Sequence, residues 1–286
     1  MEIISAIWRI SRPYNSLIPL LLLYIGATLV GASDWMIVVG MVILFVLHSV
    51  ATIANDVEDM AIDKANKRDV SVISSITKRQ AWWILGLITV ATIIVSAVFL
   101  NLLFTFMLLY LLVLSGAYNM RPQQLSRRPI SSIVVLGICY GMLPLLMGAS
   151  LGTLMPFNAI LLSVFLAISR TSLSMLKDYK DASGDAAHHK RTFLLVYGRT
   201  RVRQVSVALA AIGYAGTIIM SGLLLGGQFW PWGVVSIALA LWLLVERLRL
   251  SPTKSYRVLN VQFHRSLQFE ALFYGAIAIW ATTSLI

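Results

Sequence analysis

An all-α integral membrane fold, a bundle of about nine transmembrane helices, is predicted by three features of the sequence. The 286 residues are 58% hydrophobic and only 12% charged, with a mean hydropathy of +0.82, whereas a soluble domain carries roughly 25% charged residues. Apolar runs that approach the length needed to cross a bilayer, about 20 residues, recur along the whole chain. Cations cluster in every second connection between those runs. Residues 1–286 are therefore expected to form a single membrane domain without a soluble appendage.

Taken in order, the elements follow from these signals. The first twelve residues are mixed and carry Arg9 and Arg12. No small-residue cleavage site follows the first apolar run, so no removable signal is expected. The first span, 16–33, passes Asp34 without a cation into the second, 35–53. Lys64, Lys67, Arg68, Lys78 and Arg79 precede the third, 81–100, and Asn101 alone links it to the fourth, 102–118. Arg121, Arg127 and Arg128 precede the fifth, 130–150, and an uncharged connection at Gly152 leads to the sixth, 156–176. Lys177, Lys180, Lys190, Arg191, Arg199, Arg201 and Arg203 gather before the seventh, 203–225. Gly227 marks an uncharged link to the eighth, 231–247. Arg247, Arg249, Lys254, Arg257 and Arg265 precede the ninth, 268–286.

Lys and Arg mark the cytoplasmic side of a membrane protein. The N-terminus is thus expected inside and the C-terminus outside, and one helix more or fewer would scramble the alternation. The net charge of +11 is accounted for by this topology. It suits anionic lipid headgroups and phosphorylated substrates, and nucleic acid is not expected as a partner. The lone Cys139 lies in an apolar stretch and is read as core packing. Trp230 and Trp232 are read as an aromatic belt on the outer face.

The acidic residues carry the chemistry. Asn55, Asp56, Asp59 and Asp63 form N-D-V-E-D-M-A-I-D at the end of the second span. Lys177, Asp178, Asp181 and Asp185 form K-D-Y-K-D-A-S-G-D at the end of the sixth. Both space their Asp residues by three and then four, which places side chains on one helical face. Carboxylates so close repel unless a cation sits among them. Mg²⁺ is the cation that a few carboxylates, water and substrate phosphate oxygens suit. Two such rows facing each other can hold metal on both sides of a diphosphate and neutralise it as a leaving group. The EF-hand spacing is absent. The motifs lie 122 positions apart, Asp59 to Asp181, a weak sign of internal duplication.

At these residues the chain resembles the UbiA superfamily of intramembrane prenyltransferases. Asn55, Asp56, Asp59 and Asp63 match its N-D-x-x-D-x-x-x-D motif, and Asp178, Asp181 and Asp185 match the second motif. Arg191, Thr192 and the run to Gly198 continue it, and Arg12-Pro13, Tyr118, Pro122 and Leu125 are similar to further family positions. The resemblance implies a helical bundle around a central cavity. An isoprenyl diphosphate would lie on Mg²⁺ at the cytoplasmic mouth, its tail within the membrane interior, and an allylic carbocation would be captured by a small-molecule acceptor. An aromatic acceptor, as in quinone biosynthesis, is the first expectation. The alternatives are a terpene-cyclase outcome and a lipid-phosphate or sugar-phosphate acceptor. Lys67 to Ser71 lack the Pro and Gly of many members, and Gln124 and Ser126 stand where Arg and Lys are found in the family.

Site expectations follow. Asp59, Asp181, Tyr118 and Arg170 are the candidate catalytic residues. Lys64, Lys67, Arg68, Lys180 and Arg121 are candidates for the diphosphate. Asn55, Asp56, Asp59, Asp63, Asp178, Asp181 and Asp185 are candidates for the metal. Arg170 lies two turns deeper than Lys177, and an ionisable residue at membrane depth usually faces a cavity or snorkels to the interface. His48 sits similarly before Asn55, where it can meet an acceptor or serve packing. His188 and His189 are read as loop residues. An ion-coupled transporter is a remote alternative: transporter sites lie near the bilayer midplane, whereas these carboxylates lie at one face.

Overall fold

The computed structural model describes residues 13–65, 77–152, 155–179, 181–226, 230–250 and 255–284, and the regular structure among them is helical. Nine long helices and two short ones are described. They are α1 (Pro13–Leu29), α2 (Asp34–Glu58), α3 (Met60–Ala65), α4 (Lys78–Phe99), α5 (Leu102–Asn119), α6 (Pro129–Ala149), α7 (Phe157–Lys177), α8 (Ala182–Ala187), α9 (Phe193–Leu225), α10 (Trp230–Leu248) and α11 (Tyr256–Thr283). Seven of these are long and apolar enough to cross a membrane. The outer two of the nine predicted spans fall on α1 and α11. The first has only 17 residues, about 25 Å of helix, and the second has a polar N-terminal half that carries Gln262, His264 and Arg265, with Glu270 just beyond it. The outward faces of α4 and α5 expose Trp83, Leu87, Val98, Leu102 and Val113, as expected where lipid is the solvent.

Several ends differ from the spans read in the sequence. α2 runs five residues beyond position 53 and carries the start of the first Asp motif, Asn55 and Asp56, as helix. α9 begins ten residues before position 203, and its backbone breaks at Gly198, where φ is 76°. This left-handed conformation is one that glycine adopts without a Cβ clash. α11 begins twelve residues before position 268, from Ser255, whose hydroxyl accepts from Val258 N. Asn101, read as a bare link, caps α5: its Oδ1 accepts from Phe104 N at 2.8 Å and its amide donates to Ser150 O. Within α6 one π-helical turn, Ile138–Met142, precedes Pro144. Proline cannot donate to the carbonyl four residues back, and a π turn absorbs the mismatch.

Two large apolar clusters make most of the core, and a third gathers around Leu173, Tyr179 and Val202. Of the two large ones, one joins α1, α6, α7, α9, α10 and α11 around Leu22, Tyr214 and Phe273, and the other joins α1, α2, α5 and α6 around Leu44, Phe104 and Met147. The α1–α6 crossing is close because Gly26 faces Leu145 O and Gly148 faces Leu23 O, the small-residue packing by which membrane helices approach each other. A Cβ at either glycine collides with backbone that cannot yield. Gly148→Leu is therefore expected to destabilise the protein by about 1–3 kcal/mol or more, measured as a lower Tm in detergent. An unchanged Tm would show that the two helices separate freely there.

Candidate active site

The two Asp motifs meet at one end of the bundle. The first keeps helical register where α2 passes into α3: Asp59 N donates to Asn55 O and Asp63 N donates to Asp59 O, each at 2.8 Å. Asn55, Asp59 and Asp63 thus form one i, i+4 row. In the second, Asp178 follows the last residue of α7 and Asp181 precedes α8. Asp181 N donates to Asp178 O at 3.3 Å and Asp185 N donates to Asp181 O at 2.9 Å. The facing rows line a polar pocket of about 50 Å³ together with Tyr118, Ser126, Ser132, Lys177, Lys190 and Thr192. Pocket and motif residues are drawn from α2, α3, α5, α6, α7 and α8, so this end is held by the tertiary fold.

Beyond the pocket lies a chamber of about 850 Å³. Asn55, Tyr118, Lys177 and Asp181 border both spaces. Leu47, Val50, Leu85, Leu111, Val135, Cys139 and Leu173 give the chamber its apolar wall, and His48, Thr52, Tyr140, Arg170 and Ser174 give it polar points. This is the central cavity implied by the resemblance. A chain of apolar groups fits its wall, while the polar pocket at its end suits a charged head.

Two lysines, Lys177 and Lys190, offset part of the charge of the five pocket aspartates. Lys190 Nζ sits between the motifs, 3.1 Å from Asp59 Oδ2 and 3.6 Å from Asp185 Oδ1. Burial disfavours its charge, but Asp59 and Asp185 outweigh this and its pKa is raised. Lys177 Nζ donates to the Tyr118 hydroxyl at 2.7 Å. Burial pushes the Asp178 carboxyl up to about 6, against the pull of Lys177 and with the help of Asp185. Burial likewise raises Asp185, partly offset by Lys190.

The pocket fits a divalent metal. Asp178 Oδ2 is buried without a hydrogen-bond partner among the described residues, and an orphaned carboxylate oxygen costs free energy until a cation or donor meets it. The Lys190 ammonium stands where a cation bridges the two motifs. That arrangement suits Mg²⁺, which keeps several waters and takes one or two carboxylates plus substrate oxygens.

The sequence-derived residues are placed as follows. Asn55, Asp59, Asp63, Asp178, Asp181, Asp185 and Tyr118 line the polar pocket. Asp56 and Arg170 line the chamber. Lys64 and Arg121 are exposed and border neither space. Lys67, Arg68 and Lys180 lie outside the described residues. Arg170 does not snorkel: it is buried in an ion pair with Glu270 of α11, whose other oxygen accepts from Tyr214 at 2.9 Å. His48 packs edge-on against Tyr140, centroids 4.6 Å apart. Lys190, Ser126 and Ser132 were not singled out for the site by motif reasoning. The resemblance placed the basic residue before Thr192 at Arg191, yet Arg191 is exposed and Lys190 enters the pocket. His189, at φ 52°, reverses the chain so that Lys190 N returns to Asp185 O at 2.9 Å. Glu270 was legible in principle as an acid within the ninth apolar run.

The fold is shared with solved structures. A UbiA homolog from Archaeoglobus fulgidus bound to GPP and Mg²⁺ superposes with a TM-score of 0.75 at 17% identity, covering 97% of this chain and 99% of that one. A digeranylgeranylglyceryl phosphate synthase structure gives 0.71 at 15% identity, covering 99% and 100%. By sequence, the digeranylgeranylglyceryl phosphate synthase of Methanobrevibacter smithii is 24% identical over 219 residues, 72% of this chain and 74% of that protein. Residues 16–267 match the UbiA prenyltransferase family, and with both Asp motifs facing one pocket the chain belongs to that family.

Proposed function

We propose that the protein transfers a prenyl group from an isoprenyl diphosphate to an acceptor in the membrane, with Mg²⁺ as cofactor and residues 1–286 acting as one unit. The observation that carries this reading is that a carboxylate-lined pocket adjoins a largely apolar chamber, the two sharing Asn55, Tyr118, Lys177 and Asp181 in their walls. Mg²⁺ would be held by Asn55, Asp59, Asp63, Asp178, Asp181 and Asp185, with Asp56 close by, and would supply charge neutralisation for the departing diphosphate. Lys190 and Lys177 are placed to meet diphosphate oxygens. Lys67, Arg68 and Lys180, adjoining the motifs in sequence, are further candidates for that role. Lys64 and Arg121 are suited only to an outer, guiding contribution. Tyr118 holds Lys177 at the boundary of the two spaces. The apolar wall keeps water from the allylic carbon once its bond to oxygen breaks.

An aromatic acceptor remains the first reading. A glycerophosphate-type acceptor is a second, favoured by the similarity to the Methanobrevibacter smithii synthase. The positive-inside pattern supports a cytoplasmic mouth and N-terminus, with the C-terminus outside. The test is incubation of purified protein with Mg²⁺, labelled prenyl diphosphates of several lengths, and either a hydroxybenzoate or a glycerophosphate lipid, read by mass spectrometry and pyrophosphate release. A prenylated acceptor is expected. A cyclised hydrocarbon from the diphosphate alone would replace transfer by cyclisation, and solute flux without pyrophosphate would replace it by transport.

A pH dependence follows from Asp178. Its folded-state pKa of about 6 stands above the ordinary 3.8. Without metal, protonation of this group contributes stability that is fully present below the ordinary value and is lost as pH rises through about 6. Metal needs the carboxylate form. The Tm gain on adding Mg²⁺ is therefore expected to be larger at pH 7.5 than at pH 5. An equal gain at both would remove Asp178 from the metal site.

A further inference from the structure

The chamber wall is not uniform, and α2 divides it. One flank of α2 packs Val50 and Ala54 against Leu85 and Trp82 of α4, and all four residues line the chamber. The other flank turns to α6, where the His48 ring lies edge-on to Tyr140 with centroids 4.6 Å apart. From α7, the Arg170 guanidinium lies over the same Tyr140 ring, 6.0 Å from its centroid. Tyr140 belongs to the π-helical turn Ile138–Met142 of α6, and such turns are frequent at functional sites.

His48 and Arg170 are 4% and 6% exposed, and both line the chamber. His48 Nε2 and Arg170 Nε have no hydrogen-bond partner among the described residues. His48 is seven positions before Asn55 on α2, and Arg170 is seven before Lys177 on α7. Each interval is about 10 Å of helix, and Asn55 and Lys177 border both the pocket and the chamber. The two orphaned nitrogens thus belong to side chains at similar depth that share one aromatic ring. A prenyl tail laid on them would leave both desolvated and unpaired, which costs free energy. The flank of Val50, Ala54, Leu85 and Trp82 has no such cost and gains from burying hydrocarbon.

Building on the transferase reading, we infer that the chamber has two lanes. The α2–α4 flank carries the prenyl tail. His48, Tyr140 and Arg170 form a separate subsite for the acceptor, which holds an oxygen function at the end remote from the reacting atom. Arg170 Nε can only donate, and His48 Nε2 can donate or accept, so a carbonyl, carboxylate or hydroxyl oxygen meets both. Glu270 already answers the charge of Arg170, so the requirement is a hydrogen-bonding oxygen, charged or neutral. An acceptor whose far end is hydrocarbon gains nothing from this lane.

The experiment is equilibrium binding to the full chain in neutral detergent, by calorimetry, with geranyl thiolodiphosphate and Mg²⁺ already bound. It compares 4-hydroxyacetophenone with 4-ethylphenol, which has the same length but no far-end oxygen. A second pair is a 1-alkylglycerol 3-phosphate and the matching alkyl phosphate. Wild type is expected to bind the oxygen-bearing member of one pair about tenfold more tightly. The pair that shows the preference identifies the source of the oxygen, aromatic or glycerol-type. His48→Leu is expected to lose most of the preference while affinity for the thiolodiphosphate is unchanged. Val50→Phe, which narrows the other lane, is expected to weaken the thiolodiphosphate and leave the preference intact.

Equal binding within both pairs by wild type overturns the inference and needs no variant. It is also overturned if His48→Leu keeps the full preference. The same holds if His48→Leu weakens the thiolodiphosphate as much as the acceptor probe, as a residue that only packs against Tyr140 would. If the preference behaves as expected but no prenylated product forms with any donor, the transferase reading fails and the subsite stands. Product formation together with equal binding within both pairs does the opposite.

Discussion

Asp181→Ala is expected to lower turnover of a prenyl diphosphate by at least about 10³-fold, with loss of both pyrophosphate release and product. Removal of one preorganised electrostatic group from a reacting site typically costs 10²–10³, and this carboxylate adds a position shared by two spaces. Asp181 is the aspartate that borders both the polar pocket and the chamber, so it lies where the carbon–oxygen bond of a bound prenyl diphosphate would break. Asp59→Ala is expected to act in the same direction from the facing row, and it also removes one partner of Lys190. Tm should be measured beside activity, because these carboxylates are crowded and their removal relieves repulsion. Turnover within tenfold of wild type in the Asp181 variant would falsify the proposed site.

The second large effect is on stability. Glu270→Leu leaves the buried Arg170 without the carboxylate it is paired with. Breaking a buried pair by removing one partner costs about 3–5 kcal/mol, so the variant should show a markedly lower Tm in detergent or fail to accumulate. Arg170→Met added to Glu270→Leu should recover much of the loss, since an apolar pair can replace a buried ion pair with little cost. If the single variant melts like wild type, the Arg170–Glu270 pair is solvated and contributes no stability. Thermal unfolding of a membrane protein is frequently irreversible, so the comparison is made at one scan rate and in one detergent.

Much of the fold was legible without coordinates. Hydropathy located all nine long helices described, since spans longer than about 17 residues leave few alternatives in a bilayer. Where the reading stopped early, polar residues were responsible. The second span was read to end at 53, before Asn55 and Asp56, where the helix runs on to Glu58, and the N-terminal half of α11 carries Gln262, His264 and Arg265. The candidate site was legible as two matched carboxylate rows. Charge type, however, does not predict direction. Lys64 adjoins the first motif and Arg121 lies near Tyr118, yet both are exposed, whereas Lys190 is turned inward by the left-handed His189.

The sequence by itself determined the membrane class, the alternation of charged and uncharged loops and the chemistry of each acidic row, because each depends on residues within a few turns of one another. Only the tertiary structure decided that the rows face across one pocket, that Lys190 fills the gap between them, and that Arg170 meets a carboxylate 100 positions away. Hydropathy reports whether a helix can enter lipid and is silent on which face turns inward. That choice is made by close approaches such as Gly26 and Gly148 and by buried charges that must find opposite charges on other helices.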